Sequence, residues 1–287
     1  MQPRLDSIQC LHPGGLHRMA YAEWGDPDNP EVVVCVHGLS RNGRDFDTLA
    51  RALSATHRVA CPDIVGRGRS DQLGDYRGYS FPQYVADCVT LIARLNVERV
   101  CWVGTSMGGL IGMMIAAMPG GPIVRLVVND VGPVIGREGI GRIGKAVGTR
   151  TEFESFEEGL AYVVQASASF GPHTPEQWRL LSEHIVLEKD GKWHLHYDPR
   201  IGDATRAELA KPVTADLWPM WDLITCPTLV LRGAESDLLE ETVAREMTVR
   251  GPKASLITYA GVGHAPTLMQ PDQVADVVSF INSSKEN

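Results

Sequence analysis

Val100-Cys101-Trp102-Val103-Gly104-Thr105-Ser106-Met107-Gly108-Gly109 is the stretch on which the fold turns. Its first four residues are a short apolar run of strand type, and a helix-like pattern begins at Gly109 and continues to Met118. Between them stands G-x-S-x-G in the strand–turn–helix setting that this motif requires. Reversing a strand into a helix within a few residues forces the central residue into a strained backbone conformation. Small residues two before and two after it let neighbouring chains approach. The turn lifts the Ser106 hydroxyl above the sheet, with a helix N-terminus behind it to favour negative charge. Ser106 therefore reads as a nucleophile.

Working outward, similar apolar runs occur at Val32–Val36, Arg58–Cys61, Arg125–Asn129, Thr228–Arg232 and Ser255–Tyr259. Helical spacing is found at Phe46–Leu53, Tyr84–Leu95, Glu240–Arg250 and Gln273–Ile281. Such alternation predicts an α/β fold built on a mostly parallel sheet. Ser7–Leu11 and His17–Trp24 fit a hairpin on the sheet edge. The alternation stops between about Val134 and Val213, a turn-rich and more helical stretch carrying Phe153, Phe156, Phe170, Trp178 and Trp193. The expected organisation is a core of residues 1–133 and 214–287 with a mainly helical lid at 134–213. Open α/β sheets bind ligands at the carboxyl ends of their strands, where such an insertion would sit.

A serine hydroxyl needs a base to take its proton. His264, in Gly261-Val262-Gly263-His264-Ala265-Pro266, follows the last strand in a loop free to reach across the sheet edge. The imidazole in turn needs a carboxylate to fix its tautomer. Asp237, just after Thr228–Arg232, is the expected acid, with Glu235 in the same loop and Asp130 after Arg125–Asn129 as rivals. Acyl transfer places charge on a carbonyl oxygen, which two backbone N–H groups receive. Those of Met107 and of Leu39, in His37-Gly38-Leu39-Ser40, are the expected pair. His194 and His196 could share a strand face, but no third metal ligand is evident, so no metal is expected.

Five stations in order now resemble the α/β-hydrolase superfamily: HGLS (His37 to Ser40), PDIVGRGRSD (Pro62 to Asp71), GTSMGG (Gly104 to Gly109), LVLRGAESDLL (Leu229 to Leu239) and GVGHAP (Gly261 to Pro266). The resemblance implies a mostly parallel eight-stranded sheet, helices on both faces, a cap and no cofactor. Dehalogenases and epoxide hydrolases carry aspartate at the nucleophile position, where this chain has Ser106. Proline iminopeptidases show HGGPG and a tryptophan after the serine, against HGLSR and Met107 here. Meta-cleavage C–C hydrolases share S-M-G-G but often follow the histidine with tryptophan, where this chain has Ala265-Pro266. C–C hydrolysis, lactonase and serine haloperoxidase chemistry stay open beside carboxylesterase, as does a non-catalytic receptor, whose usual mark is a damaged triad. The leading expectation is a carboxylic ester hydrolase for a short or medium acyl group. Some bacterial esterases similar to this chain also cleave hydroxyacid oligoesters or polyesters.

Composition agrees with an ordinary globular protein. Hydrophobic residues make up 44% and charged ones 22%, enough for a full core. A net charge of -8 argues against nucleic acid or an anionic membrane as partner, since both need a basic face. A small-molecule ester is the expected partner. The six cysteines form no C-x-x-C pair, and Cys35 and Cys101 fall inside apolar runs, which fits a reducing compartment and a cytoplasmic protein. The N-terminal residues show no secretion signal.

Overall fold

A computed structural model describes residues 2–149, 152–210 and 216–283. In chain order the strands are β1 (Arg4–His12), β2 (Gly15–Trp24), β3 (Val32–Val36), β4 (Arg58–Pro62), β5 (Val100–Thr105), β6 (Ile123–Asn129), β7 (Glu152–Phe153), β8 (Val186–Lys189), β9 (Lys192–Leu195), β10 (Thr228–Gly233) and β11 (Ser255–Tyr259). The helices are α1 (Asp47–Leu53), α2 (Phe81–Arg94), α3 (Met107–Ala116), α4 (Arg137–Ala146), α5 (Phe156–Ala166), α6 (Pro175–Ser182), α7 (Arg200–Leu209), α8 (Trp218–Trp221), α9 (Glu241–Met247) and α10 (Pro271–Asn282).

Eight strands form one sheet in the order β1-β2-β4-β3-β5-β6-β10-β11. Only β1–β2 and β2–β4 pair antiparallel; the other neighbours are parallel. The expected edge hairpin and mostly parallel eight-stranded sheet are thus present. Alternate residues of β3 explain its unbroken apolar run. Val34 and Val36 pack with residues of α2 and α3, while Val33 and Cys35 face the α1 and α10 side. A strand buried on both faces has no place for a polar residue. Each such valine contributes roughly 1.5–3 kcal/mol by leaving water.

At the sheet edge a buried polar cluster ties the β1–β2 hairpin to α2. His17 Nε2 lies 3.1 Å from Asp87 Oδ1, to which Gln83 Nε2 also donates at 2.8 Å. Burial pushes the neighbouring Cys10 thiol up to about 12, so it stays protonated. Among the described residues these three, Cys10, His17 and Asp87, are the group close enough together to hold a metal. His194 and His196 are not part of it.

Between β6 and β10 the chain leaves the sheet. This insertion holds α4 to α7 and a small sheet of its own, in the order β7-β9-β8. It is therefore less purely helical than its sequence suggests. Asp190 and Gly191 both have positive φ, 54° and 77°, and turn β8 back into β9. Asp-Gly is the residue pair such a two-residue turn demands. Phe156, Val163, Ile185 and Val186 form the insertion's own core, with Trp193 packed on it. Gly68 N donates to His196 O at 2.8 Å and Asp198 N to Gly66 O at 2.7 Å, fastening the insertion to the turn after β4. The expected boundary at 213/214 lies among residues 211–215, outside the described residues. By α8 the chain has rejoined the main core through Trp218 and Trp221.

Candidate active site

Ser106 sits between β5 and α3 with φ 52° and ψ -113°, a strained conformation for a residue with a side chain. Its neighbours make the turn feasible. A Cβ on Gly108 would meet Val36 O at 2.0 Å, and one on Gly104 would meet Gly108 O at 2.2 Å. Ser106 N donates to Asn129 O at 2.9 Å, which anchors the turn to the end of β6.

His264 reaches Ser106 from the loop after β11, with Nε2 3.0 Å from the serine Oγ. Its other nitrogen, Nδ1, lies 2.8 Å from Oδ2 of Asp130. A carboxylate can only accept, so Nδ1 carries the proton and Nε2 is free to accept from the serine hydroxyl. Asp130 is wholly buried and held by two further donors. Gly233 N–H reaches Oδ1 at 2.9 Å, and the Ser236 hydroxyl reaches Oδ2 at 2.7 Å.

The expectation of Asp237 as the partner of His264 is therefore corrected: Asp130 occupies that position. The Asp237 carboxylate instead accepts from Arg142 Nε at 2.8 Å and Nη2 at 2.9 Å. That guanidinium holds the Asp237 carboxyl below its ordinary range. Glu235 is exposed, and only its backbone N–H is fixed, to Val262 O. The signal for Asp130 was present in sequence. It is the first residue past a buried strand that neighbours the strand bearing the serine.

The loop His37 to Arg41 lies against Ser106; a Cβ on Gly38 would stand 3.7 Å from that of the serine. His37 Nδ1 donates to Gly38 O at 2.7 Å while Nε2 accepts from Ile64 N at 3.0 Å, so both ring nitrogens are committed. Burial lowers the pKa of His37 to about 3, keeping it neutral. Met107 opens α3, so its N–H has no partner within the helix. Among the described residues neither this N–H nor that of Leu39 meets an acceptor. Both are free to receive a charged oxygen.

Ser106, His264 and Leu39 open into a cavity of about 180 Å³. Its far wall comes from the insertion, with Ile143, Val147, Tyr162, Phe170 and Leu195 among the lining side chains. Trp193 packs in the insertion's core, and Trp178 stacks behind Phe170 with ring centroids 6.4 Å apart. The insertion also grips the histidine loop. Gly263 N donates to Ser169 O and the Ser169 hydroxyl donates to His264 O, each at 2.6 Å.

Comparison with known proteins agrees with this fold. Residues 33–277 match the model of the alpha/beta hydrolase family. A 3-hydroxybutyrate-oligomer hydrolase of Cupriavidus necator is 52% identical over 98% of this chain and 99% of its own. Among solved structures, an alpha/beta hydrolase from Novosphingobium aromaticivorans is 34% identical with a TM-score of 0.87, covering 98% of each chain. A putative hydrolase from Rickettsia typhi is 28% identical with a TM-score of 0.90, covering 99% of this chain and 100% of its own. With a serine elbow and a histidine at hydrogen-bond distance, and a family match spanning most of its length, this chain belongs to the alpha/beta hydrolase family.

Proposed function

We propose that the protein hydrolyses the ester bonds of short hydroxyacid oligomers, of the 3-hydroxybutyrate type, through an acyl-enzyme on Ser106. The observation that carries the chemistry is the His264 ring held between Ser106 Oγ and Asp130. The substrate class rests on the relative from Cupriavidus necator. Ser106 Oγ attacks the ester carbonyl carbon as His264 Nε2 takes its proton. The N–H groups of Leu39 and Met107 receive the oxyanion. The tetrahedral adduct collapses, His264 returns the proton to the departing alcohol, and the acyl group stays on Ser106. Water then attacks that ester with His264 again as base, releasing the acid and restoring the serine. Asp130 holds the imidazole in the required tautomer and offsets its charge when protonated.

Residues 134–213 act in this reading as a lid whose underside limits acyl length. A cavity of about 180 Å³ suits oligomer ends better than polymer. All six cysteines are free thiols, in keeping with a reducing compartment such as the cytoplasm. No helix among the described residues is long and apolar enough to cross a membrane.

The test is release of monomer from purified 3-hydroxybutyrate dimer and trimer, beside p-nitrophenyl esters, a lactone and a ring-fission dienone. We expect oligomer turnover, abolished in Ser106→Ala together with fluorophosphonate labelling. Turnover of the p-nitrophenyl esters with inert oligomers would remove the substrate class and keep the chemistry. Labelling that survives in Ser106→Ala would remove the nucleophile.

A further inference from the structure

Arg67 stands in the turn after β4, in the VGRGRS stretch, and its side chain is wholly buried. No carboxylate pairs with it among the described residues. Nε donates to Leu39 O at 2.8 Å, and Nη1 donates to Val65 O at 2.8 Å and to the Tyr84 hydroxyl at 3.0 Å. Nη2 reaches Met107 Sδ at 3.6 Å. The rings of Tyr84 and Tyr79 lie 4.9 and 5.9 Å from the guanidinium carbon. Withdrawing a cation from water without a counter-ion is expensive, and an apolar side chain would fill the same space at less cost. What an apolar side chain lacks is a charge and a rigid fork of donors.

Those donors fall on a telling pair. Leu39 and Met107 are the two residues whose N–H groups receive the oxyanion in the mechanism above, and one side chain touches both. We propose that Arg67 is the positioning residue of the oxyanion hole. It clamps the Leu39–Ser40 peptide to the head of α3, so that two N–H groups from distant parts of the chain converge on one point. Its unneutralised charge behind them favours the charged tetrahedral adduct over the neutral ester. The inference rests on the reading of Ser106 as acyl acceptor and is indifferent to which acyl group is carried.

The test compares wild type with Arg67→Met and Arg67→Lys on p-nitrophenyl butyrate. A trifluoromethyl ketone, which adds to the serine and places a charged oxygen in the hole, serves as a second probe. Removing a direct oxyanion donor costs about 10²–10³ in kcat, so loss of its support should cost about 10- to 100-fold. We expect that loss in kcat with KM little changed, a matching loss of ketone affinity, and partial recovery of both in Arg67→Lys. A folded Arg67→Met that keeps wild-type kcat and ketone affinity overturns the proposal, as does a loss carried by KM alone. Should Arg67→Met fail to fold, Met107→Leu removes the sulfur contact at nearly constant volume. Ketone binding weakened by a few-fold there supports the clamp, and unchanged binding overturns it. Wild type that ignores the ketone altogether would instead strike at Ser106 itself.

Discussion

Asp130 and Asp237 each stand just past a strand of the central sheet, β6 and β10, whose carboxyl ends lie side by side. Either acid follows Ser106 and precedes His264 in the chain, so order cannot separate them. Local chemistry does. Asp130 adopts φ 57°, and its carboxylate accepts from Gly233 N–H and the Ser236 hydroxyl as well as from His264. Asp237 is half-exposed and drawn to Arg142, a residue of the insertion whose position no local pattern reveals. Asp130→Asn should therefore lower kcat by up to ~10⁴ while the protein still folds, because an amide there favours the wrong tautomer. Asp237→Asn should stay within about tenfold of wild type, since surface ion pairs contribute little. Steady-state rates of the two variants on one ester decide the matter; near-normal turnover in Asp130→Asn would reverse the assignment. That Ser106 stands at a strand–helix turn with His264 within reach was legible because glycine spacing and strand–turn–helix context are local properties. The acid was not, because its choice depends on a contact across 134 residues of chain.

The strands were the most legible elements. Val32–Val36 and Ser255–Tyr259 coincide with β3 and β11, since an apolar run between turn signals leaves little freedom in where a strand starts. Helix starts were less clear: Phe46–Leu53 opens one residue ahead of α1, on the last residue of a 3-10 turn at Gly43–Phe46. Asn42 caps that turn by accepting from Arg44 N, a local bond that competes with regular helix. The β8–β9 hairpin went unread although Lys189-Asp190-Gly191-Lys192 carries its turn signal, because the surrounding insertion lacks the alternation of the core. The insertion's aromatics now divide by position. Phe170 lines the cavity, so Phe170→Ala should shift preference toward longer acyl chains in a p-nitrophenyl ester series. Trp193 belongs to the insertion's core, so Trp193→Ala should lower stability by about 1–3 kcal/mol and leave that preference unchanged. Thermal denaturation and the ester series together check both, and a reversed pattern would exchange the two roles.

Across the whole molecule, two buried groups make folding stability depend on pH in opposite senses. His37 has its pKa lowered to about 3 by burial, so its contribution is complete above the unfolded value of 6.5 and is lost as pH falls toward 3. Burial raises Asp63 to about 6 from 3.8, so its contribution is complete below 3.8 and is lost as pH rises through 6. A His37→Gln variant isolates the first effect. Between pH 7 and pH 5 wild type should lose about 2 kcal/mol more than the variant, read from urea midpoints at each pH. Equal losses would show that His37 takes up its proton without unfolding the chain. The histidine loop described above has a different consequence, in the order of assembly. Ser106 and Asp130 lie within 24 residues of each other, each just past one of two adjacent strands, but the histidine arrives 158 residues after the serine. It docks on a loop held by Ser169 of the insertion. Closing so long a stretch costs chain entropy that nearby contacts do not. During refolding, sheet signals should recover before turnover does, and turnover becomes a clock for the last contact to close.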